Sequence, residues 1–161
     1  MMPSVQNTMK LPEPPSRVWF ALTRTDQRDL WGPVFRLERP ATGEVGTVYF
    51  RLPGIPGEHG TDAIVDNFSQ PQRFSWWCGL AKVFRLSEAY DLTGNEGGTT
   101  LMHTMTIDGP LSFIAPLVLR RWRALMIASD RRLERHLKNS TVARLSQGRG
   151  RTPTRARKGF R

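Results

Sequence analysis

The sequence predicts an α+β domain: a curved antiparallel sheet of about seven strands wrapped around one long C-terminal helix. Three observations carry this. Six consecutive short runs of alternating or apolar residues lie between residues 34 and 107, each separated from the next by a turn signal. A single long segment with helical periodicity follows, from the "DGP" at 108–110 to about Asn139. Two short helical stretches sit between a first strand and the run of six, so no βα alternation supports a parallel sheet.

In chain order, Val5, Asn7, Met9 and Leu11 share one face of a first strand, "VQNTMKL". "PEPPS" breaks that strand, and Pro15 or Ser16 can open a helix, since proline is tolerated in a first turn. Val18, Ala21 and Leu22 then fall at helical spacing. A second short helix, "TDQRDLW", takes Thr25 or Asp26 as N-cap and stops at Gly32-Pro33. The strands "VFRLERP", "TVYFRL", "TDAIVDNFS", "RFSWWCGL", "VFRLSEAYDL" and "TTLMHTMTI" follow, with turns at "ATGEVG", "PGIPGEHG", "QPQ", "AK" and "TGNEGG". In the last segment Leu111, Ile114, Val118, Leu125, Ser129, Leu133 and Leu137 approximate one stripe, widened by Trp122 and Met126. Pro116 predicts either a kink or the true helix start.

The chain divides into a folded domain over 1–139 and a basic tail over 140–161. The tail holds seven of the basic residues and no acid, so the net charge of +10 falls to +3 for residues 1–139. Its Arg, Gly, Ser and Thr cannot bury enough surface to offset ordering entropy, which predicts disorder. Such a tail can bind phosphates, either on nucleic acid (a ribosome-like surface included) or on an anionic membrane. The single cysteine, Cys78, excludes an internal disulfide and a Cys-based zinc knuckle. Together with a start that lacks a basic and then apolar signal pattern, it predicts a cytoplasmic protein. No stretch is long and apolar enough for a transmembrane helix.

The residues "PPSRVWFALTRTDQRDLWGP" (14–33), "GTVYFRLPG" (46–54), "PQRFSWW" (71–77), "GGTTLMHTMTIDGPL" (97–111) and "RRLERHL" (131–137) resemble those of the START-like, helix-grip superfamily. The likeness is greatest to its bacterial polyketide cyclase/dehydrase and lipid-transport branch. It spans about residues 4–139. The resemblance implies a cavity between sheet and helix, and a function as either a carrier of a small apolar ligand or a cyclase.

Candidate site residues follow from strand parity. His103 shares a face with Leu101, Met105 and Ile107, directed at the helix. It reads as a core histidine with its hydrogen bonds satisfied, a ligand contact, or an acid–base group. Trp76, in the parity of Phe74 and Cys78, points inward, where it fills core or walls a ligand. Glu88 and Tyr90 share the apolar parity of Phe84, Leu86 and Leu92. Glu88 either reaches water at the sheet rim or lies buried and paired with His103, and Tyr90 could donate to a ligand carbonyl. Phe68, Met105, Val118 and Leu125 complete the predicted ligand-binding set with Trp76, Glu88, Tyr90 and His103. The catalytic candidates are His103, Glu88 and Tyr90. His59 lies in a Gly/Pro-rich loop, and His136 reads as a structural imidazolium at a helix C-terminus. The three histidines have no metal-ligand spacing, so neither metal nor cofactor is expected. No phosphate-loop, dinucleotide or nucleophile-elbow motif occurs. Three functions remain: binding of a small hydrophobic or lipid-like ligand, a cyclase/dehydrase using acid–base catalysis in the same cavity, and an interaction protein whose basic tail docks on nucleic acid or a ribosome-like surface.

Overall fold

The computed structural model describes residues 2–38, 45–51, 56–80 and 82–149. The first four residues of the turn expected at "ATGEVG", part of that at "PGIPGEHG", and the tail beyond 149 lie outside the described residues, while Val45 and Gly46 already belong to a strand. The elements are β1 (Ser4–Leu11), α1 (Pro15–Thr23), α2 (Thr25–Trp31), β2 (Arg36–Glu38), β3 (Val45–Phe50), β4 (His59–Ser69), β5 (Arg73–Leu80), β6 (Phe84–Asn95), β7 (Gly98–Asp108), a 3-10 turn (Pro110–Ile114) and α3 (Ala115–Arg149). All seven strands form one antiparallel sheet in the order β1-β7-β6-β5-β4-β3-β2. The curved sheet and long C-terminal helix make this the helix-grip architecture.

Strand order explains the two short helices. Six strands form a meander, and β1 adds to the far edge beside β7. The chain must therefore cross from one edge to the other between β1 and β2, and α1 and α2 make that crossing. Pro15 sits in the first turn of α1, and Val18, Trp19, Ala21 and Leu22 bury its inner face. The N-cap of α2 is Arg24, with no side-chain cap, rather than Thr25 or Asp26. The helix is held instead by bonds from its last turn. The buried Arg28 guanidinium donates to the Leu22 and Phe35 carbonyls at 2.9 Å each, and Trp31 Nε1 donates to the Ala21 carbonyl. Gly32 ends α2 in the left-handed region (φ 67°), which favours glycine.

For α3 the expected end and part of the expected stripe are corrected, while a helix start at Pro116 is borne out to within one residue. The helix runs to Arg149, ten residues past Asn139, and so takes in residues expected in the disordered tail. Arg17 Nη2 donates to the Leu137 carbonyl and to Ser140 Oγ, and the hydroxyls of Ser140 and Thr141 donate back to the Leu137 carbonyl. The helix starts at Ala115, so Pro116 lies in the first turn and causes no kink. The buried stripe is Ala115, Leu119, Met126, Ser129, Asp130, Leu133 and Leu137. Ile114 and Leu125 lie outside it, both more than two-fifths exposed, and Val118 is half-buried. Ile114 belongs to the 3-10 turn and not to the helix, so it falls outside the helical spacing. The Leu111 side chain is outside those described. Among the described residues no helix is long and apolar enough to cross a membrane.

The space under the grip is filled with aromatic rings. Phe35, from the α2–β2 connection, packs edge-on against Trp76 of β5 (5.6 Å between ring centres) and Trp122 of α3 (5.4 Å). Trp19 of α1 does the same with Phe68 and Phe74.

Candidate functional site

The sheet register builds a polar cluster from the alternation read in the sequence. Directly opposed pairs place Phe74, Tyr90, His103 and Asn7 in one row across β5, β6, β7 and β1. The next row on the same face holds Trp76, Glu88, Met105 and Val5. Glu88 and His103 are thus diagonal neighbours, within reach of a long side chain. His103 Nε2 lies 3.0 Å from Glu88 Oε1, and its Nδ1 lies 2.8 Å from Oδ1 of Asp130 on α3. Trp76 Nε1 donates to Glu88 Oε2 at 2.8 Å, and the Tyr90 hydroxyl donates to Glu88 Oε1 at 3.1 Å. Asn7 Nδ2 donates to Asp130 Oδ2 at 2.7 Å. The Tyr90 ring stacks on the imidazole at 4.2 Å, and Phe74 stacks on Tyr90.

Burial is complete: Trp76, Glu88 and Tyr90 are 0% exposed and His103 and Asp130 are 1% exposed. Desolvation by itself would lower the pKa of His103. The hydrogen bonds to Asp130 and Glu88, and the negative charge of both, outweigh it and raise the imidazole to about 9. His103 is therefore a cation at neutral pH, and both ring N–H groups already have acceptors. Burial and then the Glu88 charge raise Tyr90 well above its ordinary value, so it remains a neutral donor. The same two causes raise Cys78 to about 11, which keeps the thiol unreactive.

A folded pKa above the unfolded value means that the folded state holds an extra proton between the two. The contribution of His103 is therefore full below pH 6.5 and lost as pH rises through about 9. Urea unfolding at pH 6 and pH 9.5 should differ by roughly 3 kcal/mol, the acidic side being more stable. An imidazole titration by NMR with a midpoint near 6.5 would contradict this. Cys78 adds a smaller loss of the same sign above pH 9, where the unfolded thiol ionises and the folded one keeps its proton.

The predicted residues occupy three places. Trp76, Glu88, Tyr90 and His103 form the buried cluster, with Met105 opposite Glu88 and 0% exposed. Phe68 lies against Trp19 and Phe74 near α1 and is partly exposed. Val118 and Leu125 lie on α3, and Leu125 lines a separate cleft. Sequence reasoning missed Asn7 and Asp130. Asp130 carried a signal, as one of two acids on a largely basic helix, four residues from Met126 and three from Leu133 on its apolar stripe.

His59 and His136 differ from expectation. His59 opens β4, opposite Phe50, and is not a loop residue. His136 lies well inside α3, so no helix end favours its charge. Its Nε2 is 3.1 Å from Gln27 Oε1, and burial followed by the nearby Arg17 charge lowers its pKa. Among the described residues no set of three or more His, Cys, Asp or Glu is placed to hold a metal ion.

The cleft at Leu125 has a volume of about 310 Å³ and lies between the α2–β2 connection, β3 and α3. Val34, Phe50 and Leu125 supply its apolar wall. Arg36, Arg51, Arg132, Asp29 and Glu58 supply the polar one. Arg132 is held in place by donating to the Trp31 and Gly32 carbonyls, and Arg36 is paired with Glu38 and Glu58.

No family model and no curated protein matches the chain. Solved structures do. Protein MLL2253 from Mesorhizobium loti superposes with a TM-score of 0.65 at 19% identity, covering 85% of this chain and 98% of its own. TTHA0849 from Thermus thermophilus gives 0.63 at 16% identity, covering 86% and 99%. DynU16, from the dynemicin biosynthetic locus, gives 0.58 at 19% identity, covering 85% of this chain and 48% of its own. At these identities the likeness shows the shared fold.

Proposed function

We propose that the chain is a START-like protein of the polyketide cyclase/dehydrase and lipid-transport branch, and that it binds a small hydrophobic or lipid-like molecule without covalent chemistry. The observation that carries this is the cleft at the open side of the grip, where Val34, Phe50 and Leu125 face a rim of charged groups. Its volume lies at the lower end of small-molecule sites, which suits a compact ligand better than a long enclosed chain. The fold neighbours agree with such an architecture, and the single buried cysteine fits a reducing compartment such as the cytoplasm.

The acid–base reading asks His103, Glu88 and Tyr90 to touch substrate. Their burial, and the occupation of both imidazole nitrogens by carboxylates, favour a holding role instead. A cation with a pKa near 9 is also a poor general base at neutral pH.

The test is thermal unfolding with a panel of fatty acyl and polyaromatic compounds, backed by native mass spectrometry. A ligand present at about a hundred times its Kd should add about 2.7 kcal/mol of stability. Leu125→Arg should abolish that gain while leaving the unliganded protein folded, because Leu125 is 45% exposed. If no compound in the panel shifts unfolding, or if Leu125→Arg leaves the shift intact, the site is not this cleft.

A further inference from the structure

One end of the molecule joins two exposed apolar tips from distant parts of the chain. A Cβ on Gly109 would lie 2.8 Å from the Val83 carbonyl oxygen, so β7 leaves the sheet in direct contact with the β5–β6 turn. Gly109 also has φ 104°, which a side chain would strain. This close approach sets the 3-10 turn and the start of α3 beside the β5–β6 hairpin. From the hairpin projects Leu80, 71% exposed; from the turn and helix project Phe113 and Leu117, 75% and 80% exposed. A shallow cleft of about 230 Å³ between hairpin and turn is lined by Trp77, Leu80, Val83 and Phe84, with Lys82, Arg85 and Asp108 around it.

The surroundings of these tips are cationic. From Gly109 to Ser129 the chain has no acidic residue. Arg120 and Arg121 stand three and four positions beyond Leu117 and therefore flank it on the outer face of α3. Both are exposed and neither pairs with a carboxylate among the described residues. Lys82 stands beside Leu80 at the hairpin tip. Of the acids near this end, Asp108 accepts the Gly109 N–H, and Asp66 is paired with Arg85.

We infer that this end docks on an anionic lipid bilayer, with Phe113, Leu117 and Leu80 entering the interface and Arg120, Arg121 and Lys82 meeting headgroup phosphates. Large apolar tips standing free above a rim of unmatched cations suit an interface that is apolar below and negatively charged above. A nucleic acid would use the arginines but leave the three apolar tips in water. The surface is separate from the Leu125 cleft, and the inference stands whether or not that cleft binds a ligand. If the ligand is lipid-like, docking here would bring the protein to its source.

The experiment is flotation of the full chain with vesicles of phosphatidylcholine alone and of phosphatidylcholine mixed with phosphatidylglycerol. The wild type should float with the mixed vesicles and not with the neutral ones. Phe113→Ser with Leu117→Ser should weaken that partition at least about tenfold, and Arg120→Glu with Arg121→Glu should do the same. The first pair keeps every charge, including those of residues 140–161, so it separates this surface from attraction by the basic tail. Both pairs change exposed side chains, and their melting temperatures should match the wild type. The inference is overturned if the wild type does not float, or if flotation survives Phe113→Ser with Leu117→Ser. It is also overturned if the protein binds RNA or self-associates through these residues with no lipid partition.

Discussion

Replacing His103 by leucine should lower the stability of the fold by about 3–5 kcal/mol, the cost of removing one partner from a buried ion pair. Glu88 Oε1 and Asp130 Oδ1 both lose their cation, and two carboxyl groups are left facing each other in a space that admits no solvent. A simple loss of packing predicts much less, since leucine is similar in bulk to the ring it replaces. The two causes separate in a double variant. Adding Asp130→Leu to His103→Leu removes one of the stranded carboxyls, so the double variant should be more stable than His103→Leu alone. Urea unfolding of the four proteins in that cycle measures this. Additive destabilisation would show that the cluster does not act as a charge-balanced unit.

Trp76→Ala should cost about 3–5 kcal/mol, for two reasons that can be distinguished. The indole is 0% exposed and packs edge-on against Phe35, so its loss leaves a cavity beneath α3. It also removes the N–H that Glu88 Oε2 accepts at 2.8 Å, leaving a buried acceptor without its donor. Added indole should restore part of the lost stability, because it returns both the ring and the N–H. Naphthalene should restore less, because it returns only the ring. Equal rescue by the two would assign the whole cost to packing. A loss below about 1.5 kcal/mol would mean that Phe35 and Trp122 collapse into the gap.

These two substitutions probe what holds the helix to the sheet. Asp130 reaches down from α3 to β7 through His103 and to β1 through Asn7. His103 in turn reaches β6 through Glu88, and Glu88 reaches β5 through Trp76. One connected set of side chains therefore spans four strands and the helix that covers them. Apolar packing brings helix and sheet together in several registers of nearly equal energy; a satisfied polar cluster penalises every register but one.

Much of this was legible beforehand. Period-two alternation placed Trp76, Glu88, Tyr90 and His103 on the inner face, because a strand allows each side chain only two directions. Turn residues between the runs placed the strands as a meander, and β5 begins and ends at Arg73 and Leu80 as its apolar run does. Partners across the helix were not legible. The predicted stripe on α3 ran through Leu125 and Ser129 and passed over Asp130, since periodicity ranks an apolar residue above an acid at the edge of a buried face. Asn7 shares the apolar face of β1 with Val5, Met9 and Leu11, but nothing local shows that Asp130 descends to meet it. The end of α3 was missed for another reason: the Arg17 contacts to Leu137 and Ser140 that tie this part of the helix to α1 come from at least 120 residues away.

The order of strands and helices, the inward face of each strand and the basic character of α3 were determined by the sequence alone, because periodicity and turn chemistry act over a few neighbouring residues. Only the tertiary structure decided the role of His103. Whether a histidine on an inner face meets a ligand, a water or a carboxylate depends on which side chain descends from the covering helix. Here that side chain is Asp130, 2.8 Å away, and with Glu88 it leaves the ring charged, enclosed and without a free nitrogen.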